Sequence, residues 1–463
     1  MNEEISDNKM RTMLQKCITD YSSQQNKEGR LKNIRLCGRS ILKVAGNQSA
    51  ILIRNPELQK TDFIGTASCH SSWACPKCTA IVMAKQGTNI ACLIEALKKQ
   101  QNKRAFMITF TIPHTKEMTC EESFQILHDT WRAFARGGNH SYNAYTDYTL
   151  KTDISEDKRA VGKKGTVKRY YKGLHPYGEF REALDIKHVV RIIEVTWGEE
   201  SGWHPHIHAL FWTHKKNFKK ILNYQESLLD YWWKRAEEKT RKVLRKKYPD
   251  DPDYERADGI VLKLFSNAYK YPRTGHRAVY ISTDKNNNVI EQQSSHYVAG
   301  WHADQELTGL SVKTARRNRY TPRQLLEQLA ETGEIKWFRL YEEYAYTTFK
   351  HRRINFSPGC APIIREWKKT EEFITAFKKN CVNLEAKQKW EIVGWFSSEE
   401  WKRICFIDSY SDVFLTEQIL QLALQENARE LINQLLEEYD IQLHTETTIE
   451  SILLLEMRNS SAA

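Results

Sequence analysis

No stretch of this chain approaches the ~18 consecutive apolar residues that a membrane-spanning helix needs. From Met1 to Gly29 it is polar, so no apolar leader core follows a basic start. No internal repeat is present, which sets aside solenoids and propellers. These absences lead to the expectation of a soluble, cytosolic protein. In a reducing compartment its ten cysteines are thiols or metal ligands rather than disulfides.

Acidic residues are missing from Leu307 to Leu326, where Lys313, Arg316, Arg317, Arg319 and Arg323 stand together. From Lys215 to Lys247 twelve Lys or Arg face four acids, and the whole chain carries a formal charge of +12. Clustered positive charge suits phosphate contacts, a polyanion being the natural partner. Lys313, Arg316, Arg317 and Arg319 are therefore the candidate phosphate contacts. Hydrophobic residues make up 40% and aromatics 11% of the 463 residues, enough for packed cores and for about two to four domains.

Residues 1–36 read as a polar helical extension, 37–100 as a cysteine-rich module and 101–357 as the central domain with an insertion at 137–185. After Ser357-Pro-Gly-Cys-Ala-Pro362, residues 363–463 read as almost wholly helical. Ile90, Leu93, Ile94 and Leu97 give a helix over 81–101. Alternation at Phe106, Ile108, Phe110 and Ile112 gives a strand. Two further strands, 188–197 and 206–213, flank the turn Gly198-Glu-Glu-Ser-Gly202 and form an antiparallel hairpin. Lys215 to Lys247 reads as one long amphipathic helix. The fold class expected is α+β, a central antiparallel sheet with flanking helices.

The sharpest motif is Trp203-His204-Pro-His206-Ile-His208. Residues two apart on a strand face one side, so His206 and His208 present their imidazoles together. Glu194, across the hairpin, can add a carboxylate to the same face. Two imidazoles and a carboxylate suit a divalent transition metal with positions left open for a phosphate oxygen. His204 precedes Pro205 and is expected in the turn, holding the loop. In the cysteine module, Cys75-Pro-Lys-Cys78 is a knuckle. Together with Cys37 and Cys69 it offers four thiolates to a structural Zn²⁺, although His70 is an alternative to Cys69.

Several segments in order resemble the bacterial plasmid rolling-circle replication initiators of the HUH endonuclease superfamily. They are Ala67 to Cys78, Ile193 to His208, Tyr297-Val-Ala-Gly-Trp301 through Thr308, Tyr344 to Arg353, and Trp390 to Arg403. The resemblance implies that His206 and His208 hold Mn²⁺ or Mg²⁺ with Glu194 as third ligand, and that Tyr297 is the nicking tyrosine. It implies plasmid origin DNA as substrate, a host helicase and a second protomer as further partners, and no membrane. One departure is Gly300, where the family commonly carries a lysine. A transposase or mobilisation relaxase is a second reading; Trp301 replaces the second tyrosine that many of those carry. A zinc-dependent protein that binds an origin without cutting it is a third.

Overall fold

The computed structural model describes residues 5–42, 48–135, 160–161, 167–168, 175–250, 254–270, 278–291, 319–349, 351–380 and 390–446. Tyr297, Gly300, Lys313, Arg316 and Arg317 lie outside the described residues.

The chain begins with helix α1 (Asp7–Tyr21) and a hairpin of β1 (Ser49–Asn55) and β2 (Lys60–Ile64). Helix α2 (Pro76–Gln101) leads into strand β3 (Lys103–Thr111) and helix α3 (Cys120–Ala135). Strands β4 (Val189–Gly198) and β5 (Gly202–His214) are followed by helix α4 (Gln225–Lys247). Next come the short strands β6 (Val279–Ile281) and β7 (Arg319–Tyr320), then helices α5 (Pro322–Thr332) and α6 (Ile335–Thr348). Strand β8 (Ile354–Phe356) and helix α7 (Cys360–Lys368) precede strand β9 (Glu391–Ser397). Helices α8 (Ser398–Tyr410), α9 (Leu415–Leu422) and α10 (Ala428–Glu437) complete this order.

The architecture is mixed α+β with antiparallel sheets. The central sheet has the order β8-β4-β5-β3-β6, and β7 pairs with the end of β4. Strand β3 shows why it is central. Phe106, Ile108 and Phe110 point to one face, where Phe110 meets Trp131, Phe134 and Trp232. Ala105 and Met107 point to the other, against Ile90, Leu93, Ile94 and Leu97 of α2. Each such fully buried side chain contributes roughly 1.5–3 kcal/mol, so a strand apolar on both faces is held between helices on both sides.

The structure departs from the sequence reading in several places. The N-terminal extension is part of the main core, where Met10, Leu14 and Ile18 of α1 are buried. Inside the cysteine module, β1 pairs antiparallel with β9, so the small sheet β9-β1-β2 joins two ends of the sequence. Its core of Leu52, Phe63, Phe396, Trp401 and Ile419 belongs to both ends. The C-terminal region therefore contains a strand that the expectation of helix missed. Residues 176–183 of the expected insertion form a helix whose Tyr177 and Phe180 sit in the main core. Lys215 to Lys247 is broken, with a single α-helical turn at Phe218–Ile221 between two 3-10 turns and the long helix only from Gln225. Among the described residues no helix is long and apolar enough to cross a membrane.

Candidate metal centres

The hairpin β4–β5 sets the first centre. Gly198 pairs with Gly202, leaving three residues in the loop. Gly202 has φ of 71°, and a Cβ there would stand 2.9 Å from the Lys116 Cα. Both the left-handed backbone and the close approach require glycine. The register that this turn fixes puts Glu194 opposite His206, Thr196 opposite His204 and Ile192 opposite His208. On the other side of β5, Thr109 lies opposite His208 and Thr111 opposite His206.

Period-two alternation then places His204, His206 and His208 on one face, ahead of Leu210 and Trp212 in the apolar layer beneath α2 and α7. The His206 Nε2 lies 3.2 Å from Glu194 Oε2, and the His208 Nε2 3.4 Å from the same oxygen. Two ligand atoms each about 2.1 Å from one ion and about 100° apart lie roughly 3.2 Å from each other. Glu194, His206 and His208 thus meet the separation and the donor chemistry of a divalent metal site. The His206 Nδ1 is buried without a hydrogen-bond partner. Thr109 Oγ1 sits 2.9 Å from His208 Nδ1, behind the ring.

His204 lies on the strand rather than in the turn. Its Nδ1 is 2.8 Å from His114 Nε2, and the His114 Nδ1 is 2.9 Å from the Ser201 carbonyl oxygen. A carbonyl only accepts, so His114 Nδ1 carries a proton and donates it. This relay ties the histidine strand to the hairpin turn. Sequence reasoning did not single out His114 or Thr109. The only local signal for Thr109 is its place on the strand that neighbours the histidines.

The second centre is built by the N-terminus of α2. Cys75 is the N-cap and Cys78 lies in the first turn, where the helix dipole favours thiolates. Cys37 and Cys69 complete a group whose sulfurs all lie within 4.8 Å of one another. Cys37 and Cys78 sulfurs are 3.5 Å apart, and those of Cys37 and Cys75 are 3.7 Å apart. Four sulfurs about 2.3 Å from one tetrahedral ion would be about 3.8 Å apart, so the group fits a single ion. Cys69, not His70, belongs to it, and the Cys69 amide donates to the Cys37 sulfur at 3.4 Å. Hydrogen bonds from Cys69, Cys75 and Cys78 hold the Cys37 thiol well below the ordinary range, while the contacts of Cys75 and its burial push that thiol up.

The basic residues divide. Arg319 on β7 pairs with Gly198 through the backbone, at the metal end of the sheet. Arg323 is buried in ion pairs with Asp7 and Glu327 at 2.6 and 2.8 Å, so it is structural rather than a phosphate contact. Within α4, Arg241 and Arg245 share Asp258, and Lys247 pairs with Glu122, which neutralises much of the helix's charge. Lys215, Lys216, Lys219 and Lys220 are exposed, past the end of β5 remote from the histidines.

Over 149 residues the chain is 28% identical to "Neomycin resistance protein" of Streptomyces cyanogenus, covering 32% of this chain and 30% of that protein. Over 166 residues it is 25% identical to "Protein rep" of Streptomyces lividans, covering 35% of this chain and 33% of that protein. The matched part spans about a third of the length of these curated relatives. No family model matches the chain, and no solved structure does.

Proposed function

We propose that this chain is an HUH-type rolling-circle replication initiator, which nicks one strand of plasmid origin DNA with Tyr297 and keeps the new 5′ end as a phosphotyrosine. The observation that carries this reading is the convergence of His206, His208 and Glu194 on one face of a rigid central sheet. The partial likeness to "Protein rep" supports a replication-related role.

A Mn²⁺ or Mg²⁺ ion held by these three residues would polarise a phosphate oxygen in one of its open positions. The chain's own residues do the rest. His206 and His208 are held in place by the strand, and Glu194 offsets cationic charge. Arg319, with Lys313, Arg316 and Arg317, would guide the phosphate backbone. A tyrosine phenol is a weak nucleophile until its target is polarised. The Tyr297 oxygen bonds to phosphorus, the bond to the 3′ oxygen breaks, and the phenolic proton ends on the departing 3′ hydroxyl. That hydroxyl primes synthesis, and the phosphotyrosine keeps the strand available for rejoining. At the cysteine group the metal is zinc, because four thiolates around one tetrahedral ion are its usual structural set.

The test uses single-stranded DNA from the region flanking the chain's own coding sequence, with Mn²⁺. Wild type should give nicks and a protein–DNA adduct on a denaturing gel, and Tyr297→Phe should give neither while still binding DNA. Adduct formation by Tyr297→Phe would remove Tyr297 from the reaction. Binding without any nick by wild type would favour an origin-binding protein that does not cut.

A further inference from the structure

Arg11 of α1 is buried, with only 6% of its surface exposed. Its guanidinium rests on Gly38, the residue after Cys37: a Cβ at Gly38 would stand 2.6 Å from the Arg11 Nη1 and 2.9 Å from its Cζ. Gly38 also has φ of 77°, so both space and backbone demand glycine. The Arg11 Nε has no hydrogen-bond partner. The acidic side chains within electrostatic reach of the guanidinium are Cys75, Cys37, Asp62 and Cys78. Asp62 is already ion-paired with Lys77.

A buried cation is costly unless opposite charge stands beside it. Neutral thiols would supply none, and a thiolate at Cys37 alone would supply only part. Four thiolates around one divalent ion carry a net charge of −2. We propose that Arg11 is the counter-charge of the four-cysteine cluster, so that α1 docks fully only when the cluster holds its ion. This rests on the zinc reading of that cluster.

The surroundings of Arg11 extend the consequence. Gln15, one turn along α1, donates to the carbonyls of Ile34 and Cys37 at 2.9 and 2.7 Å. Arg39 Nε donates to the Gln15 Oε1 at 3.0 Å. The Trp401 indole of α8 donates to the Gly38 carbonyl at 3.1 Å, and Lys16 of α1 pairs with Asp412 at 2.5 Å. One short stretch around Cys37 thus joins the cluster, α1 and the C-terminal helices. Loss of the ion would weaken the negative charge that offsets Arg11 and loosen α1 from both neighbours.

The experiment uses the full chain and measures zinc affinity by competition with a colorimetric chelator. Arg11→Met and Arg11→Lys are compared in the natural cluster and in Cys69→His, whose Cys₃His cluster carries −1 instead of −2. The expected result is at least a tenfold loss of zinc affinity for Arg11→Met, a loss within threefold for Arg11→Lys, and a smaller Met effect in the Cys69→His background. Hydrogen exchange of residues 7–21 in wild type should rise when zinc is removed. Zinc held by Arg11→Met within twofold of wild type overturns the proposal, as does an equal Met effect in both clusters. If Arg11→Met is insoluble, Arg11→Lys and the exchange measurement decide: zinc lost from Arg11→Lys, or unchanged exchange on zinc removal, overturns it. Wild type without zinc overturns the zinc reading and this proposal together, whereas zinc-loaded wild type beside an unaffected Arg11→Met overturns this proposal alone.

Discussion

Glu194 stands directly opposite His206 across the β4–β5 hairpin, and its Oε2 lies 3.2 Å from the His206 Nε2 and 3.4 Å from the His208 Nε2. Three donor atoms gathered this closely form a set that one ion can join. His206→Ala and His208→Ala should each abolish Mn²⁺ binding at this centre and reduce DNA cleavage to background. Glu194→Gln, which keeps the shape and removes the charge, should weaken both without unfolding the sheet. Excess EDTA should stop wild type and added Mn²⁺ restore it. Cleavage that persists in EDTA counts against a metal mechanism.

Thr109 should tune the same centre without touching the ion. With its hydroxyl 2.9 Å from His208 Nδ1, it can accept that nitrogen's proton in a hydrogen bond and so leave the Nε2 lone pair facing Glu194. Outer partners of this kind are worth about 10–100-fold in metal affinity. Thr109→Val, nearly the same shape, should therefore weaken Mn²⁺ binding by roughly that factor, while Thr109→Ser retains it. Calorimetric titration with Mn²⁺ reads this directly. Equal affinity for Val and wild type would leave Thr109 as strand packing only.

The cysteine cluster should behave as part of the fold. Structural zinc contributes folding free energy outright because the site does not exist in the unfolded chain. Cys75→Ser and Cys78→Ser each remove a buried ligand at the start of α2, so both should give insoluble or unfolded protein. Elemental analysis of wild type should find one zinc that survives dialysis. Soluble, zinc-free protein with a cooperative thermal transition at the wild-type temperature would show the four cysteines to be ordinary buried thiols.

The parts legible in the sequence are those that a few neighbouring residues decide. His206 and His208 share a face because strand side chains alternate, and Gly198 to Gly202 announces the turn that brings Glu194 across. Cys75 and Cys78 announce themselves by spacing. What stayed hidden depends on partners distant in the chain. Ser49–Asn55 is a strand because Glu391–Ser397 pairs with it, and nothing local in either segment names the other. Arg323 reads as surface charge until Asp7 is found beside it. Thr109 and His114 are ordinary strand and loop residues until β3 is laid against β5. The polar look of α1 concealed a helix with one buried face, since Arg11 and Gln15 are buried there too.

On the proposed function, termination of a replication round would need a second activated nucleophile while Tyr297 is occupied, and Glu291, six residues earlier, is the nearest acid in sequence. Its carboxylate instead forms an ion pair with Arg104 at 3.0 Å, with the two side chains 14% and 20% exposed. Arg104 is five residues from Thr109 along β3, about 17 Å at strand rise, and alternation turns it to the opposite face. Glu291→Gln should therefore leave nicking and the release of closed circles from a two-origin substrate unchanged. Mixing wild type with Tyr297→Phe should instead lower circle release more steeply than nicking, as expected if the second tyrosine is supplied by another protomer. If Glu291→Gln alone blocks release while nicking stays normal, and mixing has no such effect, the Arg104 pair opens during the reaction and Glu291 is the base.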